Sequence, residues 1–154
     1  MFYKFRQGIK NLYKYFKVVW NDQDWDSEFI YDLLEVKLKN MQKYFASDKP
    51  VSASAEKDAE NIEYALYLLN RLRDEEGIHN EAFYDFDITY PNFELKISSE
   101  PCEDNPRYRR LIFNETEGQR WLRSKCYRKQ YELEQQRHNE FWNFIRDHVQ
   151  GWWD

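Results

Sequence analysis

The chain has 154 residues, 19% of them aromatic and 33% charged, with a formal net charge of -5 at pH 7 and a mean hydropathy of -1.00. That length fits one domain with a real core, and nothing in so polar a sequence approaches the roughly 18 consecutive apolar residues of a membrane span. Cys102 and Cys126, far apart and without metal-ligand spacing, read as reduced structural thiols and not as a disulfide or zinc framework.

The first residues, Met-Phe-Tyr-Lys-Phe-Arg, lack the apolar core and small-residue cleavage site of a secretion signal, so a cytoplasmic protein is expected. Phe2, Phe5, Ile9, Leu12, Phe16 and Val19 then recur every three or four residues, with Lys4, Lys10, Lys14 and Lys17 mainly off that stripe. This is a basic amphipathic helix. Such a helix can lie on an anionic membrane surface, but a second apolar stripe follows after a short turn, and packing of the two is the simpler expectation.

That second stripe (Ile30, Leu33, Leu34, Leu38, Met41, Phe45) is preceded by Asp22, Asp24 and Asp26. Asp26 is placed to cap the helix start, where negative charge also opposes the macrodipole. The alternating aspartates resemble the opening of a calcium loop, but Ser27 stands where that loop needs glycine and Leu33 where it needs glutamate.

Past Pro50, Ser52 or Ser54 restarts a helix through Ala55, Ala59, Ile62, Leu66 and Leu69, which Gly77 is expected to end. Phe86, Ile88 and Tyr90, then Phe93, Leu95 and Ile97, alternate with polar residues around Pro91 and Asn92, which predicts a hairpin over 86–97. Residues 98–106 read as a loop. From Glu115 to Gln150 the pattern is again helical, as one long helix or two joined by a bend, with apolar ends and a polar middle that should be solvent-exposed or face a partner or a cavity. Gly151 offers positive φ for a chain reversal that would return Trp152 and Trp153 to the core. The fold class expected is therefore mainly α, with about four helices and a small two-stranded hairpin in a single domain over 1–154.

Charge is laid out in blocks. Residues 1–20 carry five bases and no acid, 21–35 six acids and no base, 50–105 four bases and fourteen acids, and 106–129 eight bases and two acids. In the last block Arg107, Arg109, Arg110, Arg120, Arg123 and Arg128, interleaved with Trp121 and Tyr127, form the best ligand-binding candidate, since guanidinium groups grip phosphates and rings stack on bases. The competing expectation is that these bases pair with the acidic third helix. A nucleotide-type ligand fits; a nucleic-acid surface is allowed but not favoured.

On the third helix Glu56, Glu60 and Glu63 share a face, the geometry by which all-helical nucleotide pyrophosphohydrolases hold magnesium. This is the alternative, enzymatic reading, with Asp22, Asp24 or Glu134 as further ligands. A solvated acidic face explains these residues more simply, and no metal, cofactor or catalytic residue is expected. Glu134 and His138, four apart on one helix face, are assigned to surface hydrogen bonding.

The blocks Tyr-Phe-Lys-Val-Val-Trp-Asn-Asp-Gln-Asp-Trp-Asp (15–26), Leu-Leu-x-x-Lys-Leu-Lys-x-Met-x-x-Tyr-Phe (33–45), Ile-Thr-x-Pro-Asn (88–92) and the terminal Trp-Trp-Asp (152–154) resemble a group of small, uncharacterised bacteriophage proteins. The resemblance implies expression in an infected bacterial cell and brings no catalytic residues. The function expected is that of an accessory protein that binds a host or phage protein, or a nucleotide-type ligand.

Overall fold

The computed structural model describes residues 2–23, 25–48, 50, 53–105 and 107–153, the side chain of Trp153 excepted. The expected roles of Asp24, Ser52 and Asp154 lie outside the described residues. The elements are α1 (Phe2–Trp20), α2 (Glu28–Phe45), α3 (Ala55–Leu72), α4 (Glu75–Thr89), β1 (Ile97–Pro101), β2 (Arg109–Phe113), α5 (Glu117–His148) and a 3-10 turn, Gly151–Trp153. The protein is mainly α with one small antiparallel pair of strands, as the sequence predicts, but with five helices. It forms two compact units, Met1–Arg73 with Arg137–Asp154, and Asp74–Gln136.

In the first unit, the stripes of α2 and α3 meet the end of α5. Leu38, Met41, Ile62, Ala65, Leu68, Leu69, Phe141 and Trp152 are buried together, with Leu34, Leu66, Ile145 and Val149 packed around them. Asp26 accepts the amide of Glu28 at 2.9 Å, one of the donors a helix start leaves unpaired. Ser54 stands at the start of α3, but its hydroxyl donates to buried Asp58 instead of accepting an amide. Trp152 is only 2% exposed. It reaches the core through the 3-10 turn, and no described glycine has positive φ, so the reversal expected at Gly151 is made another way.

The other end of α3 is held electrostatically. Glu28, Asp32 and Glu35 lie along one face of α2 and accept from Arg73 at 3.1, 2.7 and 3.0 Å. Burial opposes the charge on Arg73, but the three carboxylates, Asp32 foremost, outweigh it and raise the guanidinium pKa. Arg137, in the polar middle of α5, is buried and donates to the Arg71 carbonyl at 2.9 Å. That carbonyl is among the last four of α3, which lack partners within the helix.

α1 does meet α2, but not through the apolar stripe expected to pack there. No residue of α1 is buried, and Phe16, assigned to the core, is 59% exposed. Only Tyr15 and Val18, off the apolar stripe, are half-buried. The buried side chains of α2, Leu38 and Met41, meet α3 and the end of α5 instead.

In the second unit, Asp74 starts a new helix by accepting the Gly77 amide at 3.0 Å. Gly77 thus lies in the first turn of α4 and does not end α3. A Cβ at Gly77 would fall 2.0 Å from the Asp74 carboxylate, so the cap and the glycine require each other. Ile78, Ala82, Phe83 and Phe86 are buried on α4, and Phe83 and Phe86 pack with Cys126 of α5. The hairpin expected over 86–97 is therefore displaced. Phe86 and Tyr90, four apart, share the buried side of α4, while Ile88 falls on the opposite side and is 62% exposed, and Pro91 follows the helix end.

The strands that do pair are Ile97–Pro101 and Arg109–Phe113, with Ile97 opposite Phe113 and Pro101 opposite Arg109. Part of the segment read as a loop is thus β1. Asn114 clasps the open end of this hairpin, accepting the Lys96 amide at 2.6 Å and donating to the Glu94 carbonyl at 2.9 Å.

The packing sets two expectations. Leu69→Ala lowers unfolding stability by about 2–5 kcal/mol in urea titration, the cost of truncating a packed leucine, whereas Phe16→Ala changes it by less than about 0.5 kcal/mol. Burial, reinforced by Asp85, pushes the Cys126 thiol above its usual range, so less of it is thiolate. Iodoacetamide at about pH 8 accordingly labels half-exposed Cys102 and leaves Cys126 until the chain is unfolded, as mass spectrometry will show.

Candidate functional site

The eight residues singled out in the basic block all fall in the second unit, on two elements. Arg107 lies in the hairpin loop, and Arg109 and Arg110 lie on β2. Arg120, Trp121, Arg123, Tyr127 and Arg128 occupy the first half of α5. This helix opens with a capping box that the sequence carries as Thr116-x-x-Gln119. The Gln119 amide donates to the Thr116 hydroxyl at 3.3 Å, and the Thr116 amide donates to the Gln119 side chain at 2.8 Å.

The structure divides the arginines into two groups. Glu115, immediately ahead of the cap, has a side chain only 2% exposed. Its Oε1 accepts from Arg120 Nε at 3.1 Å and Arg123 Nη2 at 2.9 Å, and its Oε2 accepts from Arg123 Nε at 2.9 Å. Such a fork is both strong and directional. Arg109 is tied to Ser99 across the hairpin through its hydroxyl and its carbonyl, both at 2.8 Å. Lys129 donates to the Glu81 carbonyl at 2.8 Å. The partners found for this block are thus near neighbours in the same unit, where the sequence pointed to the acidic third helix.

Arg107, Arg110 and Arg128 are exposed and form no ion pair among the described residues. Around Arg128 the rings are exposed too: Trp121 by 67%, Tyr127 by 53% and Tyr131 by 62%. Lys125 lies 5.7 Å from the Trp121 ring centroid, which holds a charge beside the indole. Tyr127 is fixed by an edge contact with Phe83 at 5.0 Å and by Arg123 at 5.9 Å. At 1.5 Å per residue, Arg120 to Tyr131 presents an open basic and aromatic face about 16 Å long.

An open cleft of about 520 Å3 in the same unit is lined instead by Tyr90, Pro91, Asn92, Phe93, Glu94, Lys96, Asn114 and Gln119. None of the eight candidates lines it. Among the described residues, the exposed candidates lie on an open surface of the unit.

The residues of the enzymatic alternative are not drawn together. Glu56, Glu60 and Glu63 are exposed along α3, and among the described residues no group of three or more His, Cys, Asp or Glu is placed to hold a metal ion. Glu134 accepts from Gln130 at 2.9 Å, while the His138 ring lies 6.2 Å from that of Trp142. Sequence reasoning missed Glu115, the organiser of the basic block. Its position before a capping box, with arginines five and eight residues later, was the available signal.

Among the described residues no helix is long and apolar enough to cross a membrane. Compared with family models, curated proteins and solved structures, the chain matches none of them.

Glu115→Gln removes the charge that Arg120 and the Arg123 fork both meet while keeping the shape. The expected loss is about 1–3 kcal/mol, read by thermal or urea unfolding, the usual cost of hydrogen bonds to a charged group that are buried and lost.

Proposed function

We propose that this chain is an accessory protein that acts by binding, and that its ligand is a short single strand of nucleic acid laid along α5, the surface that the sequence alone allowed but did not favour. The carrying observation is the exposed face on which Trp121, Lys125, Arg128 and Tyr131 stand together. A single nucleotide is normally held in a concave site. A strand, by contrast, is held by rings that stack on successive bases and by cations that track its backbone. Arg107 and Arg110 on the hairpin add charge that is not taken up by ion pairs among the described residues. A phage origin, with expression in the cytoplasm of an infected bacterium, is supported by the blocks at 15–26, 33–45, 88–92 and 152–154 described above.

The test is fluorescence anisotropy with labelled 12-nucleotide DNA and RNA at about 20 mM salt, where phosphate contacts are strongest. Micromolar binding is expected, with an affinity that falls with salt at a logarithmic slope of about -2 to -3 for three or four phosphate contacts. Trp121→Ala combined with Arg128→Ala should weaken it at least about tenfold at unchanged melting temperature. Arg123→Ala is the wrong probe, since Arg123 serves Glu115. An absence of binding at about 100 μM, or binding that the double variant leaves intact, overturns the reading.

A further inference from the structure

The helix α1 has the surface composition of an element at an interface. Phe2, Phe5, Ile9, Leu12, Phe16 and Trp20 are between 51% and 86% exposed. At 100° per residue these side chains, with Tyr13 and Val19, fall within an arc of about 120°. Arg6, Lys10, Lys14 and Lys17 occupy the adjoining flank, and Lys4 lies across the stripe from them. A shallow groove of about 500 Å3 runs along Leu12, Tyr15, Phe16, Val19 and Trp20. Among the described residues the stripe is left uncovered, since Tyr15 and Val18 are the α1 side chains that are half-buried.

Charge decides what the occupant is. Residues 1–20 carry five bases and no acid, whereas the other 134 residues carry 18 bases and 28 acids. The helix is therefore a +5 strip on a chain whose remainder is -10. A second copy placed α1 to α1 would set the two basic strips against each other. An anionic lipid surface matches both properties at once, with apolar side chains entering the boundary of the acyl chains and lysines reaching back to the headgroups. Aromatic residues supply five of the eight apolar positions (Phe2, Phe5, Tyr13, Phe16 and Trp20), the side chains that favour headgroup depth.

We propose that α1 docks the protein in the plane of an anionic bilayer, its Phe2-to-Trp20 stripe facing the lipid. This is peripheral attachment and requires no membrane span. The ligand face on α5 is a separate matter, and neither proposal depends on the other.

Flotation of the full chain with vesicles tests this at about 0.15 M salt, comparing phosphatidylcholine alone with phosphatidylcholine containing about 30% phosphatidylglycerol. Flotation with the anionic vesicles and not with the neutral ones is expected. Two variants are measured beside the natural chain, Ile9→Glu with Leu12→Glu to break the stripe, and Lys10→Glu with Lys14→Glu and Lys17→Glu to reverse the flank. Each should reduce the bound fraction at least about tenfold, since both terms contribute to interfacial binding. Because α1 buries no side chain, both variants should keep the melting temperature of the natural chain. A chain that stays with the lipid-free fraction, or whose binding survives either variant, overturns the proposal. So does concentration-dependent dimerisation in sedimentation that Leu12→Glu abolishes without vesicle binding, which would give the stripe to a second copy.

Discussion

The first unit depends on the seam between α2 and α3. Each helix has one apolar face, and these faces close on one another with the end of α5 and Trp152 completing the core. The seam is also held at its rim, where Arg73 donates to Glu28, Asp32 and Glu35 on α2. A guanidinium can meet three carboxylates spaced by helical turns because its donors point in fixed, different directions; an ammonium has no such fork. The core side chains of α2 are turned to α3 and α5, and the apolar stripe of α1 remains exposed.

Charge in this protein is largely settled over short distances. Glu115 serves Arg120 and Arg123, and Asp74 serves the first turn of its own helix. Arg137 serves the carbonyl end of α3 within its unit. Local pairing of this kind neutralises only part of the basic block. Arg107, Arg110 and Arg128 are left at the surface beside exposed rings, and that remainder gives the binding proposal its chemistry. A surface of this form suits an extended ligand, since an open helix face offers stacking and charge along its length but no enclosure.

Helices with long, clean periods were legible in the order of residues alone. The stripes of α2 and α3 and the helical character of residues 117–148 follow from apolar spacing, which reports local geometry directly, whereas Trp152 is buried by a route other than the one expected at Gly151. The sequence also located the basic and aromatic residues of the candidate site, because composition is local. What it misjudged were short segments and choices of partner. Residues 86–90 alternate, yet belong to a helix whose cap at Asp74 and stripe from Ile78 to Phe86 outweigh five residues of period two. Only the tertiary structure decided that α1 has no place in the core and that the polar middle of α5 buries Arg137. It also decided which arginines are committed to Glu115 and which are not. Periodicity says that a face is apolar or charged, but the partner of that face depends on which other faces are already filled, and that is a property of the assembled chain.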